Sequence, residues 1–142
     1  MLYSNEQDSR AIRVALIEPN KADAYWFRLI ARQTESRIEV SHYPTGMVAL
    51  REWRKSGESD FDLLIIADVL PMLSLREFID AAKVFQPAAK VVITGEMETA
   101  AALTLADFLF CAKPLSMKDL GKFVTPSEPV QVKEKSDQFS CV

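Results

Sequence analysis

The sequence predicts an α/β fold: five parallel strands in one sheet, covered on both faces by helices. Two observations carry this expectation. Short apolar runs alternate with amphipathic stretches five times along the chain. The first and third runs are apolar at nearly every position, as strands buried on both faces must be.

The first strand is expected at Ile12–Ile17, followed by a helix over Lys21–Arg37. Within that helix Phe27, Ile30, Ala31 and Thr34 share one face, widened by Trp26 and Leu29. A second strand is expected at Ile38–Ser41. The helix after it, Thr45–Lys55, repeats Gly46, Ala49, Leu50 and Trp53 at helical spacing. The third strand, Phe61–Ala67, precedes a helix over Leu73–Phe85 with Leu75, Phe78, Ile79 and Ala82 on its inner face. A fourth strand, Lys90–Thr94, leads to a shorter helix from about Met97 to Leu105. The fifth strand, Asp107–Cys111, leads to Ser116–Val124, which opens on a Ser-x-x-Asp pattern able to cap a helix start.

The domain is expected to span 11–124, with 1–10 as an N-terminal extension. The segment 125–142 contains two prolines and few large apolar groups, so it is expected to be flexible. A chain of 142 residues has room for one domain and a core that needs no disulfide or metal staple. Hydrophobic residues make up 49% and charged residues 26%, an ordinary globular balance. The net charge of -3 offers no global field for nucleic acid or an anionic membrane. The first ten residues lack the basic start and apolar run of a signal peptide, and no apolar run is long enough to span a bilayer. Cys111 and Cys141 do not form a disulfide framework, which fits a cytoplasmic location. Triads, Cys-x-x-Cys sites and Gly-rich phosphate loops are missing from the sequence; Gly57 and Gly121 are isolated. His42 is expected to be a surface loop residue.

In a fold of this kind the residues that matter lie just past the carboxyl ends of the strands. Those segments read Glu18-Pro19 after strand 1, Ala67-Asp68-Val69-Leu70-Pro71 after strand 3, and Thr94 at the end of strand 4. Phe110, Lys113 and Pro114 close strand 5. With Gly46 and Ala49-Leu50 in the second helix, this pattern over about 11–124 resembles the receiver (CheY-like) domains of two-component response regulators. The resemblance implies a flavodoxin-like sheet in the order 2-1-3-4-5. It further implies an acidic pair after strand 1, a phosphoacceptor Asp four residues before Pro71, and Thr94 and Lys113 at the phosphoryl group. An aromatic switch is implied at Phe110.

The departures from that family define the functional expectation. The phosphoacceptor position holds Ala67, and a methyl group is no nucleophile. One member of the acidic pair has become Pro19, so Glu18 alone remains of three expected carboxylates for Mg²⁺. Asp68 is the competing acceptor, although neighbouring strand residues point to opposite faces. Lys113 is expected to pair with Glu18 or Asp68, Thr94 to satisfy a local backbone group, and Phe110 to be held in the core.

The expected function is that of a degenerate (pseudo-receiver) signalling adaptor, not an enzyme, with no cofactor and no metal. Its partners are expected to be proteins, a histidine kinase or an effector among them, with a homodimer as a further arrangement. With no output domain after residue 124, a stand-alone adaptor is expected. The alternatives are a receiver phosphorylated on Asp68 and a flavodoxin-like enzyme or cofactor-binding domain.

Overall fold

A computed structural model of the chain describes residues 10–57, 61–96 and 108–124. The strands are β1 (Ile12–Ile17), β2 (Ile38–Tyr43), β3 (Leu63–Ala67), β4 (Lys90–Gly95) and β5 (Leu109–Ala112). The described helices are α1 (Lys21–Gln33), α2 (Gly46–Ser56), α3 (Leu75–Phe85) and α4 (Met117–Val124). All strand pairs are parallel, in the order β2-β1-β3-β4-β5. The expected helix at Met97–Leu105, the segment 1–9 of the N-terminal extension and the tail 125–142 lie outside the described residues.

Every described helix starts on a side-chain cap. Asn20 accepts from the Asp23 N–H at 2.9 Å, and Thr45 from the Val48 N–H at 3.1 Å. Ser74 and Glu77 exchange bonds in a full capping box. Ser116 and Asp119 do the same at 3.0 and 3.1 Å, so the Ser-x-x-Asp pattern is a working cap. Gly57, isolated in sequence, ends α2 in the left-handed region at φ 71, its N–H on the Trp53 carbonyl.

Several expected boundaries move by a few residues. The first helix stops at Gln33, because Thr34 turns extended and its hydroxyl bonds the carbonyls of Ala31 and Ser36. β2 runs two residues past Ser41, since His42 and Tyr43 pair with Leu16 and Ile17 of β1. β3 starts at Leu63 instead of Phe61, while β5 begins and ends later than expected. His42 is therefore a strand residue, half-buried, and not part of a surface loop.

The sheet divides the core in two. On one face Trp53, Phe61, Phe78 and Ile79 pack with Ile17, Leu64, Ile66 and Ile93 beneath α2 and α3. On the other, Phe27, Ile30, Leu120 and Val124 of α1 and α4 pack on Leu16, Leu63, Ile65 and Val92. Burying each such side chain contributes roughly 1.5–3 kcal/mol against chain entropy. β1 and β3 are central and covered on both sides, which is why their sequences are apolar throughout. Gly46 lets α2 approach α3: a β-carbon there would lie 2.8 Å from the Phe78 ring. No helix among the described residues is long and apolar enough to cross a membrane.

Candidate functional site

The parallel order places the carboxyl ends of β1, β3, β4 and β5 side by side, with a crossover between β1 and β3. Glu18 leaves β1 at this end, buried at 4% exposure. A buried carboxylate must be compensated, and both of its oxygens are. Oε1 lies 2.9 Å from Lys113 Nζ, and Oε2 accepts from the Asn20 N–H at 3.0 Å. The Glu18 carbonyl accepts from His42 Nε2 at 2.9 Å; since a carbonyl only accepts, that ring nitrogen carries the proton.

Lys113 comes from the turn after β5, where its peptide to Pro114 is cis and its N–H bonds the Gly95 carbonyl at 2.9 Å. Its ammonium also meets Asp23 Oδ2 at 2.8 Å. Burial alone would lower the Lys113 pKa. Hydrogen bonds to Asp23 and Glu18, with their charges, outweigh burial and hold it above the ordinary 10.5. Asp23 is the partner that sequence reasoning missed. It stands in the first turn of α1, where an acidic side chain ordinarily needs no reason beyond the helix dipole. One turn on, the Trp26 Nε1–H donates to the Leu115 carbonyl at 2.7 Å, so α1 holds the β5–α4 turn at two points.

Asp68 is not brought to Lys113, contrary to one of the two partners expected for the lysine. Its N–H extends the ladder onto the Thr94 carbonyl, and its carboxylate lies against Gly95 where a side chain would otherwise stand. Only a glycine leaves that space. Among the described residues no hydrogen bond or ion pair reaches the Asp68 carboxylate. Ala67 is buried at 3% and packs in the core cluster beneath α2 and α3, opposite Thr94 in the β3–β4 register.

Thr94 is equally buried and lines a small cavity with Leu16, Glu18, Asp23, Ile65 and Lys113. The cavity measures about 20 Å³, room for one water molecule. The Thr94 hydroxyl has no hydrogen-bond partner among the described residues, so the local backbone bond expected of it is not seen among them. Phe110 is half-buried and packs against the α2–α3 core cluster. Pro114 is exposed, and Pro19 half-buried at the start of the β1–α1 turn.

No protein-family model and no curated protein sequence matches the chain. Solved structures do. A response-regulator receiver domain protein from Bacillus halodurans C-125 superposes with a TM-score of 0.64 at 24% identity, covering 83% of this chain and 100% of that one. A receiver domain protein from Clostridium thermocellum gives 0.65 at 17% identity, over 90% and 98%. The receiver domain of a sensor histidine kinase from Pseudomonas aeruginosa PAO1, with a magnesium ion coordinated in its active-site cleft, gives 0.65 at 15% identity, over 80% and 93%. The chain has the flavodoxin-like, CheY-like fold of response-regulator receiver domains.

Proposed function

We propose that this chain is a pseudo-receiver: a signalling module of the two-component type that acts by protein–protein contact without being phosphorylated. The observation that carries this is the closed ion cluster Glu18–Lys113–Asp23 beside a strand end that offers Ala67. The lysine expected at a phosphoryl group is already neutralised by two carboxylates. The residue expected to accept that group is a buried methyl, and no covalent step is available to it.

The magnesium of the Pseudomonas aeruginosa domain does not fit the residues present here. Mg²⁺ takes oxygen ligands in near-octahedral geometry. Ala67 and Pro19 supply no side-chain oxygen, and the carboxylates of Glu18 and Asp23 face an ammonium. On this reading the chain catalyses nothing and needs no cofactor. Its crevice holds one arrangement, because Asp23 and Trp26 fasten the β5–α4 turn to α1.

A constant surface suits a constitutive partner: a histidine kinase, an effector, or a second copy of the chain. Beside the crevice, the β3–α3 loop exposes Val69 and Met72, the latter 93% exposed at φ 63. Exposed apolar side chains of this sort suit a protein partner better than nucleic acid or a membrane surface. A cytoplasmic location belongs to the same proposal.

One observation favours a second reading, in which Asp68 is phosphorylated. Its carboxylate is only partly buried and is held by no described neighbour. Amide NMR spectra with and without Mg²⁺ and beryllofluoride, which mimics an aspartyl phosphate, distinguish the two. The pseudo-receiver leaves the peaks of Thr94, Lys113 and Leu115 in place. Saturable shifts at those peaks, lost in Asp68→Asn, would establish the second reading instead.

A further inference from the structure

We propose that the Lys113 ammonium is the resident cation of this crevice and bars a divalent cation from it. The proposal rests on the reading of the crevice given above, but its test is metal binding alone, so it can fail while phosphorylation remains absent.

Four features of the site converge on it. First, the two carboxylates are engaged by one charge: Glu18 Oε1 at 2.9 Å and Asp23 Oδ2 at 2.8 Å from Nζ. A divalent ion reaching either oxygen at the 2.0–2.1 Å of a magnesium bond comes within a few ångström of the ammonium and is repelled by it. Second, four other oxygens beside the site carry donors. Glu18 Oε2 has the Asn20 N–H, the Glu18 carbonyl has His42, the Thr94 carbonyl has the Asp68 N–H, and the Gly95 carbonyl has the Lys113 N–H. Third, the cavity of about 20 Å³ has room for one water, whereas Mg²⁺ usually keeps several. Fourth, Thr94, 3% exposed, lines this cavity, and its hydroxyl has no hydrogen-bond partner among the described residues. It is a ligand-type oxygen left over beside a seat that the ammonium has taken.

The lysine is also tethered. A group on the same chain competes at an effective concentration on the order of millimolar or above, so a free ion must displace it against that advantage. The two acids are thus kept in a cation-bound arrangement with no dependence on ambient metal.

The test is calorimetric titration of the full chain with MgCl₂ and with MnCl₂ near neutral pH, for the native protein, Lys113→Arg and Lys113→Met. The native protein and Lys113→Arg should give no saturable heat up to about 10 mM, beyond the weak end of protein divalent sites. Lys113→Met should gain a saturable site at least about tenfold tighter, and adding Glu18→Gln should remove it. Far-ultraviolet circular dichroism checks that Lys113→Met is folded, with Lys113→Gln in its place if it is not. Saturable binding by the native chain, as tight as that of the lysine variant, would overturn the proposal. So would a folded Lys113 variant that gains no site.

Discussion

Asp23 Oδ2 and Lys113 Nζ lie 2.8 Å apart across 90 residues of sequence, and the same ammonium is 2.9 Å from Glu18 Oε1. The two acids are not equivalent. The Glu18 side chain is 4% exposed and that of Asp23 41%, so water screens the second pair more than the first. Removing the lysine should therefore cost far more than removing Asp23. Lys113→Met, which leaves the buried Glu18 carboxylate with one N–H donor, is expected to lower stability by about 3 kcal/mol. Asp23→Asn is expected to cost about 0–1 kcal/mol. Urea denaturation of both variants checks the ranking; equal losses would mean that Glu18 is not the dominant partner.

Alkaline pH should weaken the fold in two separable windows. Burial, followed by the charge and hydrogen bond of Asp119, pushes the Cys111 thiol up from 9.0 to about 11. Between those values the unfolded chain releases this proton more readily than the folded one, so stability falls as pH rises. The Lys113 pKa is raised above 10.5. Its stabilisation is full below the unfolded value and is lost as pH rises through the folded one. Urea midpoints across pH 7 to 11 should thus decline less in Cys111→Ser from pH 9 upward. Lys113→Met should lose only the part above 10.5. A Cys111→Ser profile parallel to the native one would refute the first assignment.

The same raised thiol pKa makes a kinetic prediction. The thiolate is the reactive form, and at pH 8 a pKa near 11 leaves about a hundredfold less of it than a pKa of 9. Alkylation of Cys111 by iodoacetamide, followed by peptide mass, should be slower than in the urea-unfolded chain by that order. Asp119→Asn should speed it, because Asp119 raises the pKa both by its charge and by its hydrogen bond. An unchanged rate would remove Asp119 from the account.

Gly95 and Asp68 share one space, since a β-carbon on Gly95 would overlap the Asp68 carboxylate. Gly95→Ala should destabilise by about 1–3 kcal/mol, as overpacking does. In Asp68→Ala the space is free, and the same glycine substitution should cost markedly less. A double-mutant cycle measures the difference, expected at about 1 kcal/mol or more. Additive losses would mean that Asp68 lies elsewhere in solution.

The architecture was legible because β1 and β3 are apolar throughout and the helix faces recur at helical spacing. Strand order came with the resemblance, and the sheet has that order. The Ser116–Asp119 cap was legible for a local reason, its partners being three residues apart. The lysine's pairing with Glu18 was legible too, because both follow the carboxyl ends of strands in one parallel sheet. Asp23 was not: a first-turn acid on a helix is common, and only tertiary packing turns it toward a residue 90 positions away. His42 was misplaced because β2 continues through it by pairing with β1, which a mixed polar sequence does not announce. The Asp68 carboxylate over Gly95 depends on strand register, which no short-range pattern encodes.

Whether this crevice lacks a phosphoryl acceptor is read from intact mass. The full chain is incubated with Mg²⁺ and a small-molecule phosphodonor, alongside Asp68→Asn. Neither protein is expected to show a phosphoryl increment. An increment in the native chain that disappears in Asp68→Asn would contradict the pseudo-receiver reading and make Asp68 the acceptor.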